Sequence, residues 1–568
     1  MSESDSVGRS GDSFFRRPPV RWLGGVLLVV GLSGLVLTGA LRSVFDADRL
    51  ENRLDKAVHQ ATRGRYELKM DAVEWDVLTR SLRFERIILA PDSQADSEAT
   101  GDMRPWRRVD ASIPTLRLQG ISLWALLWDG TLQLDAVRVD RPRLQIRPAE
   151  SPNERARSTS DAPRDSSSGI GWLSGVTTQT LRVEEGTLVR GPSAQPARDS
   201  VWGLSLQVGR LSLDSLRHGE ARAYLLRRFS TGQFDGVRRR ISEGPYTLHL
   251  GPGQLSRRDS TLTVEDLRFA PTVPDSTFVD RHEYRINRVR AQADRVQSSG
   301  VDIHRLVEDG TICSDLLRID NLDVDVYRDN QSPPRPEDPP PPMPQDLVNE
   351  LDRSVRIDTL RVRNSQIRYT KRPENISQTG AIWFDDLWAS LYNVTTDPRR
   401  MTPATPMVVE TRTRVNGAGR LRATFRIPLL APDLDLSFTG WLGPMDARAF
   451  NETFVPLGGV RVESGQVDSL WFQADVIQGT ASGSLHGHYR NLEVETLDEA
   501  SGDRGLGNRL KTVVTGLALR SRNVPTEKNP EIGKIQHTRA PEDTFFKFLW
   551  HAVRDGIYSL VGIDRLPR

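Results

Sequence analysis

The chain can be laid on itself. One fixed offset carries Tyr66, Leu68 and Met70 onto Tyr246, Leu248 and Leu250, and Leu82, Glu85, Ala90 and Pro91 onto Leu262, Glu265, Ala270 and Pro271. The same offset carries Gly120, Leu126, Asp129, Gly130, Thr131, Asp135, Arg138 and Asp140 onto Gly300, Leu306, Asp309, Gly310, Thr311, Asp315, Arg318 and Asp320. Further on, Leu181, Arg182 and Val183 meet Leu360, Arg361 and Val362 at an offset one residue shorter. Register kept over so long a stretch marks a duplicated unit, so the chain is an array and not a set of unrelated domains.

The duplicated unit is written in strands. Leu116 and Leu118, Leu132 and Leu134, Val137 and Val139, and Leu144 and Ile146 stand at spacing two, as do Leu317 and Ile319, and Val324 and Val326 in the second copy. Spacing two places each pair on one face of a pleated sheet and the charged residues between them on the other. Gly, Asp-Gly, Asn or Pro bounds each run, as turns require. Few stretches are long enough for a covering helix; the best is 122–128 (SLWALLW), matched by 302–308. Residues 92–102, 150–168 and 331–344 (QSPPRPEDPPPPMP) read as mobile polar or proline-rich excursions at the sheet margins. Strand patterns continue through 427–497. Beyond them Leu506, Leu510, Val513, Val514 and Leu517 recur at helical spacing, as do Phe545, Leu549, Val553, Ile557 and Leu560 after Pro541.

Before the array, residues 22–41 (WLGGVLLVVGLSGLVLTGAL) carry no charge. A helix of this length spans about 30 Å, the thickness of a bilayer core. Arg16, Arg17 and Arg21 crowd its N-terminal side and only Arg42 lies equally close on the other, which favours a cytoplasmic N-terminus and an exported body. Arg49, Arg53 and Lys56 restore part of the balance, and Thr38-Gly39-Ala40 resembles a cleavage site, so a removed signal peptide is the rival reading. Residues 46–62 follow as a short polar helix with Leu50, Leu54 and Val58 on one face. Lys and Arg (77) nearly cancel Asp and Glu (75), which gives no reason to expect a nucleic-acid partner. The single cysteine, Cys313, excludes an internal disulfide framework and reads as a strand residue.

Few groups suggest chemistry. His486 and His488 share a strand face but have no evident third ligand, and the nine histidines are scattered without forming a triad. Asp320, Asp323, Asp325 and Asp329 lack the glycine and terminal glutamate of a calcium loop, and Val324 and Val326 mark the segment as strand. Ser482-Gly483-Ser484 lacks the context of a nucleophile elbow. No cofactor, no metal and no enzyme activity are expected.

The run 22–41, the repeated phrases LRLQGISLWALLWDGTLQLDAVRVDRPRLQI and VQSSGVDIHRLVEDGTICSDLLRIDNLDVDV, and the closing stretch with Gly440, Leu442, Met445, Pro456, Val462, Gly465, Asp468, Gly483, Tyr489 and Leu492 carry a resemblance. Across residues 22–497 the chain resembles the AsmA-like family of Gram-negative envelope proteins, relatives of the bridge-like lipid-transfer proteins built from repeating β-grooves. The resemblance implies an inner-membrane anchored, single-pass protein with its bulk in the periplasm. It implies support of outer-membrane lipid homeostasis by passing phospholipids along a hydrophobic groove. The expected fold is mainly β: a transmembrane helix, then an elongated, curled repeat sheet with short helices at the C-terminus.

The domains expected are a cytoplasmic tail (1–21), the anchor (22–41), a linker helix (42–65), groove units 66–245 and 246–425, a closing β module (426–500) and an amphipathic helical segment (501–568). A one-sided sheet must cover its apolar face, either by packing into an ordinary core or by leaving a slot that suits acyl chains. In the second case the lining is Leu116, Leu118, Leu132, Leu134, Val137, Val139, Leu144, Ile146, Ile312, Leu317, Ile319, Val324 and Val326. The last helix either caps a sheet edge or meets a membrane or an envelope protein partner. A scaffold that assists outer-membrane protein assembly is the alternative function.

Overall fold

The computed structural model describes residues 55–562 apart from 93–107, 123–130 (Ala125 excepted), 148–174, 192–198, 213–220, 498–518 and shorter gaps of one to three residues. The chain is mainly β, as its spacing-two runs predict. It divides into two compact units. The first holds residues up to Ser242 with Leu248–Val264 and Asp302–Gly310; the second holds Glu243–Thr247, Glu265–Val301 and Thr311–Arg568. Among the described residues no helix is long and apolar enough to cross a membrane. The segment 22–41 lies outside the described residues, as do most of 42–65 and the helical spacing from Leu506 to Leu517.

In the first unit, Tyr66–Lys69 (β1) and Ala72–Asp76 (β2) both pair antiparallel with Ser81–Pro91 (β3), which pairs with Arg108–Gln119 (β4). β4 is flanked by a broken strand, Thr131–Asp140 (β5) and Arg143–Arg147 (β6), antiparallel to it. Both pieces then run parallel to one long strand, Gly175–Arg190 (β7). Asp199–Val208 (β8) and Leu211–Ser212 (β9) follow antiparallel to β7. Phe229–Phe234 (β10) and Gly236–Ile241 (β11), preceded by the helix Ala221–Arg228 (α1), pair with β8. Tyr246–Leu250 (β12) leads to Gly253–Ser256 (β13), which pairs with β10 and with the start of Thr261–Pro271 (β14). The helix Ile303–Glu308 (α2) also belongs to this unit and occupies the stretch where helix was expected; its counterpart Ala125 is helical too. The core gathers Tyr66, Phe84, Leu116, Leu118 and Leu132, each at most 1 % exposed, with Val58 of the preceding helical segment and Tyr224 and Leu225 of α1 packed over it.

The second unit repeats this wiring. Asn287–Ser299 (β15) pairs antiparallel with Ile312–Asp320 (β16) and Asp323–Asp329 (β17), and both of these run parallel to Val355–Arg372 (β18). The register repeats residue by residue. Leu116 faces Val139 and Leu144 faces Leu188, as Val296 faces Ile319 and Val324 faces Ile367. The break between β5 and β6 is at Arg141 (φ 49°) and that between β16 and β17 at Asn321 (φ 56°). The bulges of β7 and β18 centre on Glu185 and Asn364, both at φ 53°. These are left-handed residues that an extended chain adopts only where a bulge or kink demands it.

Two sequence matches have a direct physical cause. The Val109 N–H donates to the Tyr66 hydroxyl oxygen at 3.1 Å, and the Val289 N–H donates to the Tyr246 hydroxyl oxygen at 3.1 Å. Burial pushes the Tyr66 phenol up to about 12, so it stays a neutral hydrogen-bonding group. Gly120 (φ 66°) and Gly300 (φ 69°) lie against Asp135 and Asp315, where an added Cβ would come within 1.9 Å and 2.2 Å of a carboxylate oxygen. Only glycine satisfies both the backbone angle and the space.

After β18 the second unit is an antiparallel meander. It runs through Gly380–Thr395 (β19), Met407–Val415 (β20), Gly419–Ile427 (β21) and Leu436–Leu442 (β22) to Val460–Ile477 (β24), with short Met445–Asp446 (β23) beside β24. Thr480–Thr496 (β25) and Ile532–Thr538 (β26) complete it. The helices Pro344–Asn349 (α3), Asn451–Gly458 (α4) and Phe545–Val561 (α5) also belong here, and Phe548, Ala552 and Leu560 of α5, each at most 1 % exposed, enter the core.

Residues 331–344 lie in the crossover from β17 to β18, which parallel strands require; the described residues up to 340 are mostly exposed, as an excursion would be, while the end of the segment is pinned. Met343 is 2 % exposed, and Arg539 donates to the Pro341 carbonyl at 2.9 Å. The C-terminal segment is not helical throughout, because Ile532–Thr538 adds a strand to β25 and buries Gly533 and Ile535 against α5.

Tyr66→Phe leaves the buried Val109 N–H without its acceptor and is expected to cost about 1–3 kcal/mol. Tyr246→Phe, at a half-buried site, is expected to cost about 0.5–1.5 kcal/mol. Chemical denaturation of the two variants measures both, and equal effects would contradict the burial difference.

Candidate functional site

Alternation along β4, β5 and β6 puts the first-unit residues of the expected lining on one face, and that face is packed. Leu116 (1 %), Leu118 (0 %), Leu132 (1 %), Leu134 (3 %), Val137 (8 %) and Val139 (3 %) are core, and Leu144 and Ile146 pack partly buried against the same cluster. In the first unit these side chains therefore make an interior and not an open slot.

The second copy differs at the positions of Leu132, Val137 and Val139. Ile312, at the place of buried Leu132, is 40 % exposed, and Leu317, Ile319, Val324 and Val326 are only half-buried. They continue across the parallel seam to Leu360, Val362, Ile367 and Tyr369 of β18. Burial raises the Tyr369 phenol above its ordinary value. Two positions that are leucine in the first copy, Leu118 and Leu134, are Ser298 and Ser314 here. Their hydroxyls are buried and hydrogen-bond to each other at 2.7 Å. Between the two copies the apolar face thus loses bulk and gains exposure.

The opposite face of the meander carries a second feature. Cross-strand register lines up Trp388, Arg412, Arg422, Trp441 and Trp471 in one row over β19, β20, β21, β22 and β24. Arg412 and Arg363 lie over the Trp388 ring at 4.8 and 5.7 Å, and Arg422 lies over Trp441 at 5.6 Å. Stacking of this kind holds a guanidinium flat on an indole and keeps both half-solvated. With Glu410, the row lines an open concavity of about 720 Å³, and Trp471 is 53 % exposed. Sequence reasoning missed it, since Trp and Arg between core residues read as a solvated face. The available signal was their recurrence at alternate positions on consecutive strands.

At the C-terminal end, β26, the turn before α5 and α5 itself bring together groups far apart in sequence. The Nε2 of His537 lies 3.8 Å from Asp543 Oδ2, and the Nδ1 of His551 lies 3.6 Å from the same oxygen. His537 Nδ1 is 2.9 Å from Asp555 Oδ2, one helical turn beyond His551. Lys547 lies 2.9 Å from Asp543 Oδ1. Burial pushes the His551 imidazole down to about 4, with Arg554 adding to the effect. Burial pushes the Asp543 carboxyl up, but hydrogen bonding and charge from Lys547 outweigh it and hold the group below its ordinary value. The same opposition, with His537 and Arg554 winning, lowers Asp555. The expectation that the histidines form no cluster is therefore corrected: strand–helix packing assembles one that no local spacing announces.

The other groups singled out in the sequence stay apart from chemistry. Cys313 is buried in β16. Asp325 pairs with Arg288, and Asp329 lies 3.5 Å from Arg372, so these two carboxylates are paired by neighbouring strands. His486 is exposed, and His488 Nδ1 is 3.4 Å from the Ser469 hydroxyl. Ser482, Gly483 and Ser484 are ordinary residues of β25.

No protein-family model matches this chain, and no curated protein matches it.

The packing that assembles the C-terminal cluster is close. A Cβ on Gly533 of β26 would lie 2.1 Å from the Gly556 carbonyl oxygen of α5. Gly533→Ala is expected to cost about 1–3 kcal/mol by forcing the helix off the strand. Hydrogen exchange across residues 545–561 should quicken in that variant, and unchanged protection would refute the close contact.

Proposed function

We propose that this chain is a non-enzymatic, inner-membrane anchored periplasmic protein that holds phospholipid acyl chains on an apolar sheet face and passes them between membranes. The observation that carries the reading is the difference between the two copies. Ile312, Leu317 and Ile319 remain exposed or half-buried where their first-copy counterparts Leu132, Val137 and Val139 are core, and Val324 and Val326 are half-buried beside them. A run of half-exposed branched side chains offers an acyl chain continuous hydrocarbon contact, at about 25 cal/mol per Å² of surface removed from water. The uncharged run 22–41, its flanking arginines and the resemblance of the sequence to AsmA-like proteins support the membrane side of the proposal. No residue of this chain is assigned a chemical step; the work is binding and release.

A photoreactive amino acid placed at Ile319 or Val326 of the full chain in growing cells is expected to form phospholipid adducts, and one at Leu118 is not. Paired Ile319→Asp and Val326→Asp changes should lower the adduct yield at Leu317 by about tenfold or more, because a polar group must be desolvated against the chain. Equal labelling at Leu118 and Ile319, or none at either, would end the lipid reading.

The Trp388–Arg412–Arg422–Trp441–Trp471 row favours a second reading, a scaffold that docks an envelope protein. Trp and Arg dominate the energetic centres of protein interfaces. In that case Trp471→Ala and Arg422→Glu together abolish function in cells while folding and lipid adducts persist. Full function in the double variant counts against the scaffold.

A further inference from the structure

We propose that His537, Asp543 and His551 bind one zinc ion, independently of any lipid role. Their ligand atoms all lie within 4.8 Å of one another, and among the described residues they form the one such group of three. Zinc bonds of about 2.0–2.2 Å in tetrahedral geometry hold ligand atoms roughly 3.3–3.5 Å apart. The 3.6 and 3.8 Å separations from Asp543 Oδ2 to the two imidazoles need little contraction to reach that value.

Three further features point to a ligand set and not to a chance contact. First, His537 Nε2 is buried and has no hydrogen-bond partner. A buried ring nitrogen left this way forgoes a bond that a metal would supply. Second, the other nitrogen of the same ring, Nδ1, is 2.9 Å from Asp555 Oδ2. That is the carboxylate–histidine arrangement that fixes the ring and its tautomer, with the proton on Nδ1 and the lone pair on Nε2 facing Asp543. Third, Asp543 is 0 % exposed, so its carboxylate is committed to the interior.

Three cations surround the site, and each is held by an acceptor other than Asp543 Oδ2. Lys547 approaches Oδ1 of Asp543, and Oδ2 faces the imidazoles while accepting the Ala540 N–H at 3.2 Å. Arg554 engages Asp555 at 3.1 Å, and Arg539 donates to the Asp543 carbonyl at 3.3 Å. Two nitrogens and one carboxylate oxygen suit zinc over calcium or magnesium, which prefer oxygen alone. The ligands come from β26, the turn before α5 and α5, so the ion would fasten the last helix to the last strand. Three protein ligands leave the fourth tetrahedral position to water or to a group from outside the chain.

The test is zinc titration of the full-length chain, stripped with EDTA, followed by isothermal calorimetry and metal analysis. One zinc per chain is expected, with slower hydrogen exchange across β26 and α5 on binding. His537→Gln and His551→Gln, which preserve bulk and polarity, should each abolish stoichiometric uptake. Asp555→Asn, outside the ligand set, should weaken affinity by about 10–100-fold, and it tests the same assignment should a glutamine variant fail to fold. Lys547→Met, which frees the second oxygen of Asp543, should keep or raise the affinity. No uptake by the wild-type chain overturns the proposal. So does uptake that is unchanged in the His537→Gln, His551→Gln double variant, which would place the metal elsewhere, as at His486 and His488.

Discussion

A sheet with one apolar face has to find something to put on it, and both units are organised by how they meet that demand. In the first, Val58 and the α1 residues Tyr224 and Leu225 pack on the core, and Leu118 and Tyr66 reach full burial. In the second, α5 supplies Phe548, Ala552 and Leu560 to the core formed with β25 and β26. The parallel seam between β16, β17 and β18 is less thoroughly buried: Ile319, Val324, Val326 and Ile367 stay half-buried, although Ile357 and Val362 are core. The lipid-holding proposal rests on that inequality between two copies of one pattern.

The copies agree where backbone geometry leaves no choice. A broken strand that stays antiparallel to one neighbour and parallel to the next needs a sharp turn at its middle, and Arg141 and Asn321 make it in the left-handed region. The bulges at Glu185 and Asn364 re-aim the long strand opposite. Such residues carry strain that persists only when the surrounding ladders over-determine it. They differ in side chain between copies because what is repeated is the backbone angle. Gly120 and Gly300, by contrast, are identical because a neighbouring aspartate fills the space a Cβ would need.

Much of the fold was legible. The offset that aligns Tyr66 with Tyr246 is the offset of the strand pairings themselves, and the one-residue shortening at Leu181 and Leu360 is the offset of β7 and β18. The terminal helix was also legible from Phe545, Leu549, Val553, Ile557 and Leu560, which pack on the core beside the buried Phe548, Ala552 and Gly556, since a covering helix writes its apolar face into a local period. The strand Ile532–Thr538 was not, because seven residues with two buried positions carry too little pattern to stand out from loop. The Trp–Arg row was hidden for another reason. Each strand contributes only one of its members, and the row exists only across the register of five strands.

By itself the sequence determined the β class, the duplication and the alternation of faces, all consequences of nearest-neighbour geometry along a strand. Only the tertiary structure decided which copy of the apolar face is interior and which stays half-exposed. That depends on what packs over Leu132 and not over Ile312, and no local period records it. It also decided that His537, Asp543 and His551 meet. A strand, a turn and a helix bring them together because Gly533 and Gly556 let the backbones approach, a contact between residues that no spacing along the chain relates.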